Sequence, residues 1–176
     1  MKQLTAPEAA LLDQIDAAAM LQATLAWAAI NTGTSNLAGL ARQADLLADA
    51  FSALPGDVTL REAATVTALD AAGKEVEKPH GRHLLLRVRP DAERRFLLTA
   101  HMDTVFDLGT SHRNPFRQEG ERLFGQGTQD MKASIAMLLV ALRLFRDTGL
   151  WPARPITALF TPDEETGRYV TLSGYV

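Results

Sequence analysis

The sequence contains no cysteine. That excludes a disulfide framework and a thiolate metal site, so any cation must be held by imidazole and carboxylate groups. A reducing, cytoplasmic location is the expectation. There is also no long basic run: 18 Lys and Arg are offset by 21 Asp and Glu, for a net charge of -3. Few counterions would then be released from a phosphate backbone, which argues against a nucleic-acid partner. No apolar segment is long enough to span a bilayer. Ala17 to Ile30 is interrupted by Gln22 and Thr24, and Glu8, Asp13 and Asp16 break any signal-like pattern before it, so no membrane partner is expected. Beyond Glu165, the residues Thr166 to Val176 include no Asp, Glu, His or Cys.

What is present suits one folded domain of 176 residues, 47% apolar and 22% charged. From Pro7 to Ile30, Leu11, Leu12, Ile15, Ala18, Ala19, Leu25 and Ala26 recur at helical spacing and predict one long helix. Leu37, Leu40, Ala44, Leu47 and Phe51 predict a second, stopped by Pro55-Gly56. Strand character follows in Val58 to Leu69 and His83 to Val88. The nearly continuous apolar run Phe96 to Ala100 predicts a strand covered on both faces. Phe116 to Phe124 reads as a hairpin around Glu119-Gly120. Met131, Ile135, Leu138, Leu142 and Phe145 trace a helix face, and Ile156 to Phe160 forms a last strand. The predicted class is α/β, a mixed and largely parallel sheet flanked by helices, with no internal repeat.

Three short motifs carry the chemistry. His101 and Asp103 lie two apart at a strand end, where an extended chain projects both to one side and lets the carboxylate fix the imidazole. Asp130, at a helix start, has an ordinary role as an N-cap. Its two oxygens also suit a bridge between two cations. Glu164 and Glu165 follow a strand with diverging directions, so one can ligate a cation while the other serves as general base. Gly125-Gln126-Gly127-Thr128-Gln129-Asp130 imitates part of a dinucleotide fingerprint, but Asp130 replaces the third glycine and would repel a pyrophosphate. Its glycines better suit close backbone passage beside a metal site. His80 and His83 are expected as solvent-exposed turn residues, as is His112 in a polar loop, and Lys132 as a solvated side chain despite its poor match to the helix dipole.

Taken together, Leu98 to Val105, Gly125-x-Gly127-x-x-Asp130-Met131-Lys132 and Thr161 to Gly167 resemble the dizinc metallopeptidase family of glutamate carboxypeptidase, acetylornithine deacetylase, succinyl-diaminopimelate desuccinylase and the aminoacylases. Ile30 to Asn36 is similar to that family's N-terminal segment, and the glutamate carboxypeptidase-like branch is the nearest in character. The resemblance implies that His101, Asp130 and Glu165 are metal ligands, with Asp130 bridging two zinc ions. It further implies that Asp103 orients the His101 side, that Glu164 is the general base and proton donor, and that Asp130-Met131 is a cis peptide. The implied substrate is a peptide or N-acyl amino acid.

The family continues about as long again, with another carboxylate ligand, a second His ligand and an inserted dimerisation domain. Residues 1–176 are therefore expected to be an N-terminal part of the catalytic domain, truncated and inactive alone. Ala133-Ser134 replaces a glycine-rich stretch of the family. The alternatives are a noncatalytic interaction module, or half of a split enzyme completed by another chain.

Overall fold

The structure, a computed structural model, describes residues 4–89, 96–110, 115–149 and 155–167. Two helices, α1 (Ala6–Leu12) and α2 (Ala17–Ala28), occupy the segment whose spacing predicts one. The break has a local cause. Asp16 turns its carboxylate onto the amide of Ala19 at 2.8 Å and starts a new helix, a competition with the helical backbone to which short acidic side chains are suited. Thr5 and Glu8 cap α1 reciprocally. Asn36 caps α3 (Leu37–Ser52), which buries Leu40, Ala44, Leu47 and Phe51 along one stripe.

Four strands form the central sheet: β1 (Asp57–Arg61), β4 (His83–Val88), β8 (Ile156–Thr161) and β5 (Phe96–His101), in that spatial order. The expected strand over Val58 to Leu69 divides. Its second part, β2 (Val66–Leu69), pairs with β3 (Glu75–Lys78) in a separate hairpin. A further hairpin joins β6 (Arg117–Glu119) to β7 (Arg122–Phe124). The central sheet is mixed and helix-flanked, as expected for the class, but among the described strands only β5 and β8 run parallel. The β1–β4 and β4–β8 pairs are antiparallel.

The core lies between the sheet and the helices α3 and α4 (Ala133–Asp147). Leu84, Leu86, Ala158 and Phe160 meet Leu40, Leu47, Phe51, Ile135 and Leu139 there. Phe51 stands edge-on to Phe160 with ring centroids 4.9 Å apart. Each large side chain so buried contributes about 1.5–3 kcal/mol. This packing fixes the height of β8 and β5, and hence of whatever follows their ends.

β5 differs from expectation. Its apolar run predicts cover on both faces, yet Phe96 and Leu97 are about half exposed, at 52% and 49%. Among the described strands, β5 is an edge that pairs with β8 alone, and a run of apolar residues does not reveal edge position. No helix among the described residues is long and apolar enough to cross a membrane.

Candidate metal centre

Parallel pairing of β5 with β8 sets His101 opposite Thr161, so the chain leaves both strands at the same end of the sheet. His101 ends one strand, and the Asp163-Glu164-Glu165 turn follows the other. Asp130 arrives on a third route, an irregular turn over Thr128–Lys132 that leads into α4. The Asp130-Met131 peptide there is cis.

One ligand atom from each of His101, Asp130 and Glu165 lies within 4.8 Å of the others. His101 Nε2 is 3.0 Å from an Asp130 oxygen and 3.9 Å from a Glu164 oxygen. His101 is buried, Glu165 half-buried and Asp130 exposed, so the cluster opens to solvent on its Asp130 side. Asp130 does not cap α4: the N-cap position falls to Lys132, and no side-chain cap bond forms there. The ordinary role weighed for Asp130 is therefore not taken up, and its lone pairs face His101.

Asp103 is fully buried and holds the other groups in place. His101 Nδ1 stands 3.3 Å from one of its oxygens and 3.1 Å from its carbonyl. The same carboxylate accepts the amides of Glu164 and Glu165, both at 3.2 Å, and the Thr34 hydroxyl at 2.8 Å. One charged side chain thus ties the imidazole, the acidic turn and the Asn31–Asn36 segment together, through charge-assisted hydrogen bonds that outweigh neutral ones. Thr34 lies in the Ile30 to Asn36 segment noted for its resemblance, but the sequence assigns it no role. Its signal is weak, a hydroxyl in a Gly-Thr-Ser turn.

The electrostatics follow from this crowding. Burial works against charge on His101, but hydrogen bonding to Asp103, the Asp103 charge, and then Asp130 and Glu164 outweigh it and raise its pKa to about 9. Glu165 is also raised, by burial first and by the neighbouring carboxylates of Asp130, Asp103 and Glu164 against the pull of His101.

Three expectations about nearby polar residues are corrected. Lys132 is not solvated. It is 1% exposed and donates from Nζ to the carbonyls of Trp27 at 3.0 Å and Ile30 at 2.6 Å, and its burial lowers the ammonium to about 8. Its charge sits poorly at the start of α4 but well at the end of α2, the negative end of a helix dipole. The left-handed Gly127 makes room for this, because a Cβ there would come within 3.2 Å of the Lys132 stem and 2.9 Å of Thr104. His83 is fully buried, and the His80 side chain is 2% exposed with Nδ1 3.5 Å from an Asp163 oxygen. Neither is a surface turn residue, because the segment is pressed between α3 and the turn after β8. A Cβ on Gly81 would lie 2.9 Å from that of Pro162 and 3.2 Å from that of Leu40. His112 falls outside the described residues.

The donor set suits a hard or borderline divalent cation: one imidazole and two carboxylates, without sulfur. Donors about 2.0–2.2 Å from a shared tetrahedral ion stand roughly 3.3–3.5 Å apart, a separation that the three groups reach with small side-chain adjustments.

Residues 97–175 match the family model "Peptidase family M20/M25/M40". The chain is 32% identical over 140 residues to carboxypeptidase G2 of Pseudomonas sp. (strain RS-16), a stretch covering 80% of this chain and 31% of that protein. It is 47% identical over 73 residues to acetylornithine deacetylase of Salmonella paratyphi B, covering 40% and 18% respectively. Human carnosine dipeptidase 1 shares the fold, with a TM-score of 0.72 at 18% identity over 93% of this chain and 36% of that one. The chain spans less than a third of the length of these two curated relatives.

Proposed function

From the premise that this chain belongs with peptidase family M20/M25/M40, we propose that it carries part of a zinc-dependent amide hydrolase site acting on a peptide or N-acyl amino acid. Homology supports the hydrolase class. The observation that carries the site assignment is the convergence of His101, Asp130 and Glu165, three residues from distant parts of the chain.

In this reading His101, Asp130 and Glu165 would hold a divalent cation, and the exposed Asp130 carboxylate would be open to a second ion. A divalent cation there supplies Lewis acidity to an amide carbonyl and eases deprotonation of water. Asp103 keeps a proton on His101 Nδ1, so that Nε2 is the nitrogen turned to the cluster. The protonated imidazole must release its Nε2 proton for a cation to enter. Glu164 lies beside the cluster with its side chain 48% exposed, free to take a proton from the attacking water and return it to the departing amine nitrogen.

The three ligands found among the described residues are fewer than a co-catalytic pair of ions requires, so the proposal includes weak metal binding and negligible turnover by these 176 residues alone. The absence of cysteine supports a cytoplasmic setting as part of the same proposal. The test is hydrolysis of a panel of N-acyl amino acids and dipeptides with added Zn2+. Rates typical of a complete enzyme would refute the incompetence. Turnover in a longer chain containing these residues, abolished by Glu164→Gln, is the expected result.

Phe96 and Leu97, half exposed on β5, which pairs with β8 alone among the described strands, favour a second reading, in which another polypeptide packs against this strand, as an interaction partner or as the missing half of a split enzyme. Sedimentation separates the cases. A stoichiometric complex without metal supports a noncatalytic module, whereas a metal-stabilised monomer supports the hydrolase site.

A further inference from the structure

Asp103 secures the acidic turn through the amides of Glu164 and Glu165, but nothing in that contact fixes the residue where the turn begins. Asp163 is 1% exposed, and its carbonyl accepts the Thr166 hydroxyl at 2.9 Å and the Thr166 amide at 3.4 Å, closing a 3-10 turn around the two glutamates. Its carboxylate is buried, and one group it meets is the His80 ring, with Nδ1 at an ion-pair distance of 3.5 Å. The His80 side chain, 2% exposed, is itself held by the close approach of Gly81 to Pro162 and Leu40.

We infer that His80 is a positioning residue for the site: by packing its Nδ1 edge against the Asp163 carboxylate it anchors the start of the Glu164–Glu165 turn, as Asp103 anchors its amides. The inference rests on the reading of Glu165 as a cation ligand and Glu164 as the base. His80 acts through Asp163, and the packing at Gly81 transmits the position of α3 and of the segment before β4 to the turn. A buried imidazole suits this task because it offers a donor with few rotamers beside a carboxylate withdrawn from water.

The experiment compares the chain with His80→Ala, His80→Asn and His80→Gln, reading amide hydrogen exchange of Glu164 and Glu165 by NMR and Co2+ titration by visible absorption. Asn places its amide nitrogen near the Nδ1 position and Gln near Nε2, so only Asn mimics the contact. In His80→Ala the two amides exchange about 10-fold faster while Leu85 in β4 is unchanged, and Co2+ affinity falls ~10-fold with an altered band. His80→Asn recovers both and His80→Gln does not.

Unchanged protection and affinity in His80→Ala overturn the inference. Should His80→Ala fail to fold, equal behaviour of the Asn and Gln variants overturns it. If the parent chain binds no Co2+ yet the exchange pattern follows the prediction, the metal reading fails and the anchoring role stands. If the parent binds Co2+ but the variants match it in both measurements, the anchoring role fails alone.

Discussion

His101 and His83 stand at the same end of the strands of one sheet, His101 ending β5 and His83 opening β4, and both are buried. Their proton affinities nonetheless move in opposite directions: His101 rises to about 9, and His83 falls to about 4. Burial opposes charge on both. For His83 burial is the main cause, and repulsion from His80 adds to it. For His101 the surrounding carboxylates of Asp103, Asp130 and Glu164 reverse the outcome. Depth alone therefore does not make a cation site. What the proposed cation site adds is a convergence of carboxylates on one buried imidazole, since negative charge gathered so densely favours a cation, a proton or a metal.

The comparison breaks most completely at Asp103. Asp103→Ala leaves the Glu164 and Glu165 amides and the Thr34 hydroxyl without their acceptor, and it removes the main force that raises His101. The expected result is a stability loss of about 3–5 kcal/mol in urea unfolding. The His101 pKa should fall well below about 9 in an NMR titration of the imidazole, and divalent-cation affinity should fall ~10 to 100-fold by calorimetry.

His83 sharpens the other side. Its folded pKa of about 4 lies below the unfolded value of 6.5, so between these the unfolded chain binds more protons and stability rises with pH. Falling pH from 7 to 4 should cost the parent about 3 kcal/mol more than His83→Gln, as read by urea unfolding at both pH values. Equal pH profiles would show that the ring is not held neutral. The smallest effect is expected at Thr34. Thr34→Val removes one hydrogen bond to the buried Asp103 carboxylate and should cost about 1.5–2 kcal/mol by the same method, while leaving the His83 contribution untouched.

Much of this arrangement is legible in the chain, for identifiable reasons. His101 ends a strand, Asp103, Glu164 and Glu165 follow one, and Asp130 precedes a helix; the apolar runs Phe96 to Ala100 and Ile156 to Phe160 mark the two strands concerned. The helix α3 is readable from Leu40, Ala44, Leu47 and Phe51. What escapes reading is partnership across the fold. Lys132 satisfies carbonyls more than 100 residues earlier, and only its awkward charge at the start of α4 hints at a partner elsewhere. The pairing of His80 with Asp163 depends on a glycine, Gly81, that lets two loops touch, and His-Gly-Arg-His reads as a surface turn until that contact is seen. The break between α1 and α2 is hidden because Leu12, Ile15 and Ala19 keep helical spacing across it, while Asp16 quietly begins a new helix.

The central claim is that His101, Asp130 and Glu165 form one cation site. Titration calorimetry of Zn2+ into the chain and into His101→Ala, Asp130→Asn and Glu165→Gln tests it most directly. Saturable binding by the parent is expected, with a loss on the order of 100-fold or more in each variant, greater than that from removing a supporting residue. Binding that is absent from the parent, or equal in all four proteins, would contradict it.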